Sequence, residues 1–286
     1  MLGLLELAAK AKGYSVKLNY TGSNSNDQLP DSNPLLRVEL QKQQNPPADK
    51  PVELFSQIRK RHTERGPYDP DRAVPAEFQL NLGTDGQSTI HSRTDHQQNF
   101  NAIAALVKQA WYTELSTPAT MMESINLLRV GSAEINRYRD GITIDSLPLV
   151  MLDKLGLLDR SKPPKPESRV FRQQIDDFNK SIDSTPAFYI QTSANNSRWS
   201  QLQAGRSFVK AQLLATSMGL SMHPVSQGLQ EYPEVKDAYS ALHQLVNESN
   251  GTTDHTVQML ARIGFLSADA DQSGPSPRRG LKAHLI

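Results

Sequence analysis

Apolar and polar residues alternate in two short stretches near the start of the chain. Residues 14–20 read YSVKLNY and residues 36–40 read LRVEL, so every second side chain is apolar. This period of two is typical of a half-buried β-strand. The intervening residues 21–34 are rich in Asn, Ser, Asp and Pro, as loops are. The pattern therefore predicts a β-hairpin.

Helical periodicity dominates most of the remaining chain. Residues 208–218 are mostly helix formers with almost no polar face, which predicts a buried helix. Ser197 or Asn196 is expected to cap its start. Gly219 supplies a stop, and Pro224 ends any return to helix, so this helix leads into the polar residues 225–228. Further helices are predicted at residues 1–12, 52–61, 97–115, 118–135, 147–158, 170–182 and 232–246.

Two runs that are apolar on both faces predict buried strands. Residues 186–192 contain the run Ala-Phe-Tyr-Ile, and residues 256–265 read TVQMLARIGF. Continuous apolar runs of this kind are typical of parallel strands in the centre of a sheet. We therefore expect both runs to lie in the sheet, and the first as a parallel strand.

Composition and charge exclude several functional classes. The 286 residues carry 31 Lys and Arg against 30 Asp and Glu, so the net charge of +1 does not indicate nucleic-acid binding. There is no Cys, which excludes disulfides, zinc-thiolate sites and cysteine catalysis. The sequence has neither a long apolar span nor a recognisable signal peptide, so we expect a soluble cytoplasmic protein that does not bind membranes.

A basic run at the end of the predicted helix 52–61 is the first candidate binding site. Residues 58–65 read IRKRHTER and place five basic residues, counting His62, beside the hydroxyl of Thr63. Arginine offers a planar fork of donors that matches a phosphate group. The alternative is a solvated basic run that only complements the helix dipole.

Other motifs indicate no catalytic or metal-binding residue. The spacing of Ser207 and Lys210 fits a serine nucleophile, but companion elements are missing. His91, Asp95 and His96 lack the spacing of a helical zinc site and read as a surface loop. His223 is a candidate proton donor, although a histidine bonded to the backbone is the commoner outcome.

Three segments resemble the nitroreductase family, particularly its Acg-like branch. The buried helix, its Met-Gly-Leu stop and the loop Pro-Val-Ser-Gln-Gly at 224–228 resemble the flavin-binding core of that family. Residues 61–65, followed by Tyr68 and Asp69, resemble its Arg-x-Ser-x-Arg/Lys motif, with Thr63 in place of Ser. Residues 276–281 resemble its C-terminal basic segment. The resemblance implies an α+β fold with a central mixed β-sheet flanked by helices.

The same resemblance implies FMN as the cofactor. It assigns the phosphate to the two basic segments, and the edge of the flavin ring to backbone groups of the 224–228 loop. The residues expected to bind the cofactor are Arg61, His62, Thr63, Arg65, Pro224, Ser226, Gln227, Gly228, Arg278 and Arg279.

The resemblance also implies how the chain is organised. Residues 1–50 resemble the remnant of an N-terminal half, and residues 51–286 an FMN-binding domain. The Acg-like branch fuses two halves, so we expect a monomeric pseudo-dimer or a homodimer. The ring-flanking segment Pro-Ser-x-x-Asn-x-Gln-Pro-Trp of the other half does not occur in this sequence. Residues 140–144 (DGITI) resemble a branch signature that covers the flavin, and so predict a lid.

The expected activity is that of an FMN-dependent oxidoreductase. The resemblance implies that it takes hydride from NAD(P)H and reduces a nitro, quinone or similar acceptor. The alternatives are a flavin-binding protein that sequesters FMN without turnover, and a remnant that binds nothing.

Overall fold

A computed structural model describes residues 1–20, 36–44, 51–80, 87–270 and 274–284. The strands are β1 (Tyr14–Tyr20), β2 (Leu36–Lys42), β3 (Gln87–Ser92), β4 (Leu128–Val130), β5 (Ile142–Ile144), β6 (Ala187–Ser193), β7 (Ser221–Pro224) and β8 (Thr256–Gly264). The α-helices are α1 (Leu2–Ala11), α2 (Pro51–Gln57), α3 (Ala76–Leu80), α4 (Gln97–Ser116), α5 (Pro118–Asn126), α6 (Gly131–Tyr138), α7 (Leu147–Lys154), α8 (Arg169–Asp183), α9 (Arg198–Ser217) and α10 (Lys236–Asn250).

The central sheet has the strand order β3-β6-β8-β7. All three of its pairings are antiparallel, and β7 aligns Pro224 with Ala261 of β8. The separate pair β4 and β5 is parallel. The structure combines helices with both parallel and antiparallel strand pairings, which confirms the predicted α+β class. The expectation that residues 186–192 form a parallel strand is wrong, since β6 is antiparallel to both neighbours.

Helices cover both faces of this sheet, which explains why a strand can be apolar throughout without being parallel. Tyr189 of β6 packs in one cluster with Phe208 of α9 and Ile263 of β8. Phe188 and Ile190 point to the opposite face and pack among residues of α4 and α10. Burying each such large apolar side chain stabilises the fold by about 1.5–3 kcal/mol.

The buried helix begins before its apolar run, at one of the two capping residues that the sequence predicts. α9 starts after Ser197, whose hydroxyl accepts a hydrogen bond from the backbone N–H of Ser200 at 3.2 Å. It ends as predicted at Gly219, where φ is +74° in the left-handed region that glycine adopts easily. The predicted strand at 256–265 is also confirmed, as β8.

The N-terminal residues form the predicted hairpin and a helix that packs on α9. β1 and β2 are antiparallel, and the predicted loop at 21–34 lies outside the described residues. Arg206 of α9 donates to both carboxylate oxygens of Glu6, at 2.8 and 2.6 Å. Residues 45–50 also lie outside the described part, and the division into domains at residue 50 stays a prediction.

Three predicted helices end earlier than expected, those at 52–61, 118–135 and 147–158, and the last of them stops at Lys154. The pattern at 118–135 predicts one helix, but α5 ends at Asn126 and β4 intervenes before α6 begins at Gly131, where φ is +74°. The backbone N–H of Ile142 bonds to the carbonyl of Leu127 at 2.9 Å, so pairing with β5 replaces the helical turn. Similarly, α2 ends at Gln57 and leaves residues 61–65 in an irregular segment. In the part of the chain that the structure describes, no helix is both long and apolar enough to cross a bilayer.

Candidate phosphate-binding site

Residues 61–65, called the basic segment below, are held at the end of the central sheet. Just beyond them, Tyr68 forms an antiparallel bridge with Leu266, and the N–H of Asp69 donates to the carbonyl of Phe265 at 2.9 Å. The Tyr68 side chain is buried, and its hydroxyl donates to the carbonyl of Glu64 at 3.0 Å. The basic segment is therefore fixed by strand-like bonds on one side and by an aromatic anchor on the other.

Arg278 acts on Arg61 electrostatically, although the two residues are far apart in the sequence. Arg61 is half-buried, and its guanidinium donates to Oε1 of Gln212 on α9 at 3.4 Å. Burial, followed by the charge of Arg278, lowers the pKa of Arg61. Arg278 itself donates to the carbonyls of Ser276 and Pro277, at 3.2 and 3.3 Å. Within the described ranges, neither arginine forms an ion pair with a carboxylate.

Arg279 lies in a different environment from its neighbour. It forms an ion pair with the carboxylate of Asp140, which also accepts a hydrogen bond from Nε of Arg129 at 2.9 Å. Asp140 is the first residue of the predicted lid. The C-terminal segment therefore contributes one arginine beside Arg61 and ties the other to the 140–144 segment.

The remaining predicted residues of the basic segment differ in how available they are. Both ring nitrogens of His62 are engaged, Nδ1 with the carbonyl of Lys60 at 2.8 Å and Nε2 with Oε1 of Glu64 at 2.5 Å. Thr63 is half-buried, and Arg65 is exposed. The side chains of Thr63 and Arg65 are therefore better placed to meet a ligand than the imidazole of His62.

The loop at 224–228 follows directly from the edge strand. The N–H of Val225 bonds to the carbonyl of Leu260 at 2.9 Å, and the chain then makes a 3₁₀ turn, Ser226–Leu229. Gly228 is buried against α4 and α10, where an added Cβ would lie 3.4 Å from a methyl group of Leu242. This close packing fixes the backbone of the turn.

The side chain of Gln227 lies near the carboxyl group of Glu114. Burial, then the nearby charge of Glu123, raises the pKa of Glu114, and the amide of Gln227 partly opposes this shift. Oε1 of Gln227 is itself buried without a hydrogen-bond partner among the described residues. The expectation that Gln227 meets the flavin ring through its backbone stays a prediction.

Arg262 is the functional candidate that the sequence analysis missed. It lies in β8, it is fully buried, and its guanidinium carbon is 4.3 Å from the centroid of the Tyr68 ring. Its guanidinium donates to the carbonyls of Arg65 at 3.2 Å and Gly66 at 3.0 Å, and to the carbonyl of Ser181. The only signal in the sequence is a charged residue inside the apolar run Leu-Ala-Arg-Ile, which is unusual because unpaired arginine is almost never buried.

Arg262 also contacts His223, the neighbouring residue on β7. Its Nε donates to Nδ1 of His223 at 3.3 Å. Burial, followed by the charges of Arg262 and Arg65, lowers the pKa of His223 to about 3. His223 is therefore neutral at physiological pH, and it cannot serve as the cationic proton donor that the sequence allowed.

The other histidine candidates form no metal site. His91 is buried in β3, where it pairs with Phe188 of β6, so the expectation that His91, Asp95 and His96 all lie in a surface loop is wrong for His91. Asp95 and His96 are exposed beyond the end of that strand. The rings of His91 and His96 are 5.5 Å apart, and the side chain of Asp95 accepts a hydrogen bond from Ser92. Among the described residues there is no group of three or more His, Asp or Glu side chains placed to hold a metal ion.

A cavity of about 280 Å³ lies elsewhere, where β6 ends and α9 begins. It is lined by Gln87, Gln191, Thr192, Ser193, Ala194, Trp199, Ser200, Gln203, Ala204 and His255. None of these is a predicted site residue. Ala204 precedes Gln212 by two helical turns, so the cavity is separate from the pair formed by Arg61 and Arg278.

Comparisons with known proteins give matches among solved structures alone. No protein-family model matches the chain, and no curated protein matches it. The FMN-dependent nitroreductase NfnB from Mycobacterium smegmatis, in complex with NADPH, is 15% identical and has a TM-score of 0.46; the match covers 82% of this chain and 98% of that chain.

Two further solved structures are similarly distant. For a nitroreductase with bound FMN from Bacteroides fragilis, the identity is 12%, the TM-score 0.42, and the coverage 80% of this chain and 96% of that chain. Oxidized iodotyrosine deiodinase bound to FMN and 3-iodo-L-tyrosine is 13% identical and has a TM-score of 0.43. That match covers 80% of this chain and 96% of that chain. Matches of this strength do not assign the chain to a family.

Proposed function

We propose that this protein binds FMN and acts as an NAD(P)H oxidoreductase of the nitroreductase type. The observation that carries the proposal is the half-buried Arg61, whose pKa is lowered by burial and then by the charge of Arg278. Two like charges held together in a partly desolvated place oppose folding, and a bound dianion relieves that repulsion. A phosphate monoester, with about −1.5 to −2 charges at neutral pH, fits this arrangement.

The neighbouring residues supply complementary groups for the same phosphate. Arg61 and Arg278 offer charge-assisted hydrogen bonds, which are roughly twice as strong as neutral ones. Thr63 offers a hydroxyl donor, and the exposed Arg65 adds positive charge near His223. In this proposal, His62 orders the basic segment through its bonds to Lys60 and Glu64.

The loop at 224–228 would orient the flavin ring through its backbone. The packing of Gly228 against α4 and α10 holds those backbone groups still. The bound flavin supplies hydride and electron transfer between a nicotinamide and an acceptor, while the protein supplies orientation and electrostatics. We assign no side chain a catalytic role.

Residues 140–144 are proposed to close over the ring as a lid. The pairing of Asp140 with both Arg129 and Arg279 supports this proposal, because it links the lid to the segment that carries Arg278. A lid should shield bound flavin from iodide, a soluble quencher. Quenching in Asp140→Asn should then exceed that in the wild type, and equal, free quenching in both proteins would contradict the lid.

The function is tested by flavin binding and reduction. The purified protein should bind FMN more tightly than riboflavin, which lacks the phosphate, as measured by flavin fluorescence. Anaerobic NADPH should then bleach the absorbance of the bound flavin, and a quinone or nitro compound should restore it. Arg59→Ala changes an exposed arginine next to the site and should leave all three results unchanged.

The outcomes separate the candidate functions. A yellow protein that NADPH does not bleach would support flavin storage without turnover. A protein that binds neither FMN nor riboflavin would refute the flavin proposal. Equal affinity for the two flavins would refute the assignment of the phosphate to Arg61 and Arg278.

A further inference from the structure

The arginine buried in β8 makes contact with both parts of the proposed site. Cross-strand pairing places Arg262 between Phe188 of β6 and His223 of β7, so its side chain lies on the face covered by α4 and α10. There it is fully buried in the core. A buried guanidinium is costly unless its donors are satisfied, so its partners reveal what it holds in place.

Four of the five N–H groups of Arg262 have partners among the described residues. The terminal nitrogens donate to three backbone carbonyls, of which those of Arg65 and Gly66 belong to the end of the basic segment and the chain just after it. The third carbonyl, of Ser181, lies in α8. One planar fork therefore sets the position of the basic segment relative to the sheet. Lysine cannot do the same, because its single nitrogen cannot span these acceptors.

The fourth bonded donor, Nε–H, points to Nδ1 of His223. An arginine nitrogen can only donate, so Nδ1 must offer a lone pair, and a neutral ring then carries its proton on Nε2. Protonation of Nδ1 would remove this bond. The charged groups near the ring are Arg262 from β8 and Arg65 from the basic segment, and both oppose a positive charge on it. Glu64 and Tyr68 lie on the same side of Arg262 and are the other titratable groups there.

We propose that Arg262 is the positioning residue of the site: it holds the carbonyls of Arg65 and Gly66 and fixes His223 as the neutral tautomer protonated on Nε2. The part of this inference that concerns affinity rests on the proposed function, because FMN phosphate is then the anion bound by the basic segment. The part that concerns His223 does not depend on any ligand. The two parts are therefore tested by different measurements.

The first measurement is the tautomer and titration of His223 by ¹⁵N NMR of the imidazole ring in the ligand-free protein. In the wild type, Nδ1 should be unprotonated, Nε2 protonated, and the signals constant from about pH 5 to 8, where an ordinary histidine titrates. In Arg262→Lys, which keeps the charge, the ring should populate both tautomers. A merely structural arginine would not determine which ring nitrogen carries the proton.

The second measurement is affinity for inorganic phosphate and FMN. Arg262→Lys should weaken both by roughly tenfold, the equivalent of one lost charge-assisted hydrogen bond, although Arg262 is not exposed to ligand. The control is Arg206→Met, which removes another multiply bonded arginine from α9. That variant should lose stability but keep the tautomer of His223 and the affinity for both ligands.

Hydrogen exchange gives a third measurement that needs neither ligand nor imidazole signals. In Arg262→Lys, the amides of residues 65–69 should exchange faster than in the wild type, while those of the β1 and β2 hairpin should not change. Arg262→Met serves only to measure how much the free energy of unfolding depends on Arg262. If that variant does not fold, Arg262→Lys still tests the inference.

Three results would overturn the inference: a wild-type His223 protonated on Nδ1, a wild-type His223 that titrates near pH 6.5, or an Arg262→Lys variant with wild-type tautomer and exchange. A wild-type protein that binds neither phosphate nor FMN, but shows the expected tautomer and its loss in Arg262→Lys, would refute the proposed function and leave the positioning role of Arg262 standing.

Discussion

Replacing Arg61 by Met tests directly whether the two converging arginines hold a phosphate. Arg61 is half-buried beside Gln212, so its bond to a phosphate would be charge-assisted and partly shielded from solvent. Such a bond contributes about 1.5–3 kcal/mol, which corresponds to a loss of about 10- to 150-fold in affinity for FMN. Arg278 is exposed, so Arg278→Met should fall near the lower end of this range.

The same change should cost the ligand-free protein little. Arg61→Met loses one hydrogen bond to Gln212, and at 3.4 Å that bond is long. Against this loss, the change removes a desolvated charge and its repulsion by Arg278. We therefore expect the free energy of unfolding to change by less than about 1 kcal/mol, in either direction. A residue that binds the phosphate should show a large loss of FMN affinity with a small change in the free energy of unfolding. A purely structural residue should not show this combination.

The assay compares dissociation constants for FMN and riboflavin by fluorescence titration, alongside urea unfolding without ligand. Arg61→Met should weaken FMN binding and leave riboflavin binding unchanged. The matched control is Arg59→Met, which removes the same charge from an exposed position two residues away. If the affinities for FMN and riboflavin weaken equally, Arg61 supports the flavin ring and not the phosphate. If the free energy of unfolding of the ligand-free protein falls by several kcal/mol, Arg61 supports the fold. Either result would show that the reasoning is wrong.

The double variant of Arg61 and Arg278 completes this test. If both arginines bind the same phosphate, the loss of FMN affinity in the double variant should differ from the sum of the single losses, because residues that share a partner are coupled. Strict additivity would indicate that the two side chains act on separate ligands or through separate effects.

Three further predictions concern stability. Gly264→Ala should lower the free energy of unfolding by about 1–3 kcal/mol, because its Cβ would lie 2.6 Å from Cγ of Pro186; Gly205→Ala, where nothing lies within 4 Å, should not lower it in the same urea titration. Burial, aided by a neighbouring carboxylate, raises the pKa of Glu114, so the part of the stability that depends on Glu114 should be greatest below the unfolded pKa of about 4.3 and fall as pH rises through the folded value. Glu114→Gln should make the free energy of unfolding fall less steeply with pH between pH 4 and 7. An unchanged slope would contradict this prediction. Arg206→Met should cost about 3 kcal/mol by leaving a buried carboxylate on α1 unpaired, whereas a loss near zero would show that α1 does not depend on the ion pair.

Local patterns in the sequence predicted the elements whose causes are local. The period of two at 14–20 and 36–40 predicted β1 and β2, and the apolar run at 208–218 predicted the buried part of α9. The stop at Gly219 was also predictable, because glycine adopts the left-handed conformation without a steric cost. The break after Asn126 was not, since it depends on pairing between β4 and β5.

The same division holds for the candidate site. The chemistry of residues 61–65 and the family resemblance of residues 276–281 indicated phosphate binding before any fold was known, and this assignment stays a prediction. The sequence could not separate the roles of Arg278 and Arg279, since only the folded chain places one beside Arg61 and the other on Asp140. Nor did it single out Gln212, which lies in an otherwise apolar helix and bonds to Arg61.

The amino-acid sequence by itself determined the β1 and β2 hairpin, the buried part of α9, the strands β6 and β8, and where donors suited to a phosphate are concentrated. These properties follow from side-chain periodicity and chemistry within a few residues. The tertiary structure alone decided that β6 is antiparallel and that Arg262 lies between the basic segment and His223. Strand order and contacts between distant residues depend on how whole layers pack, and no local pattern contains that information.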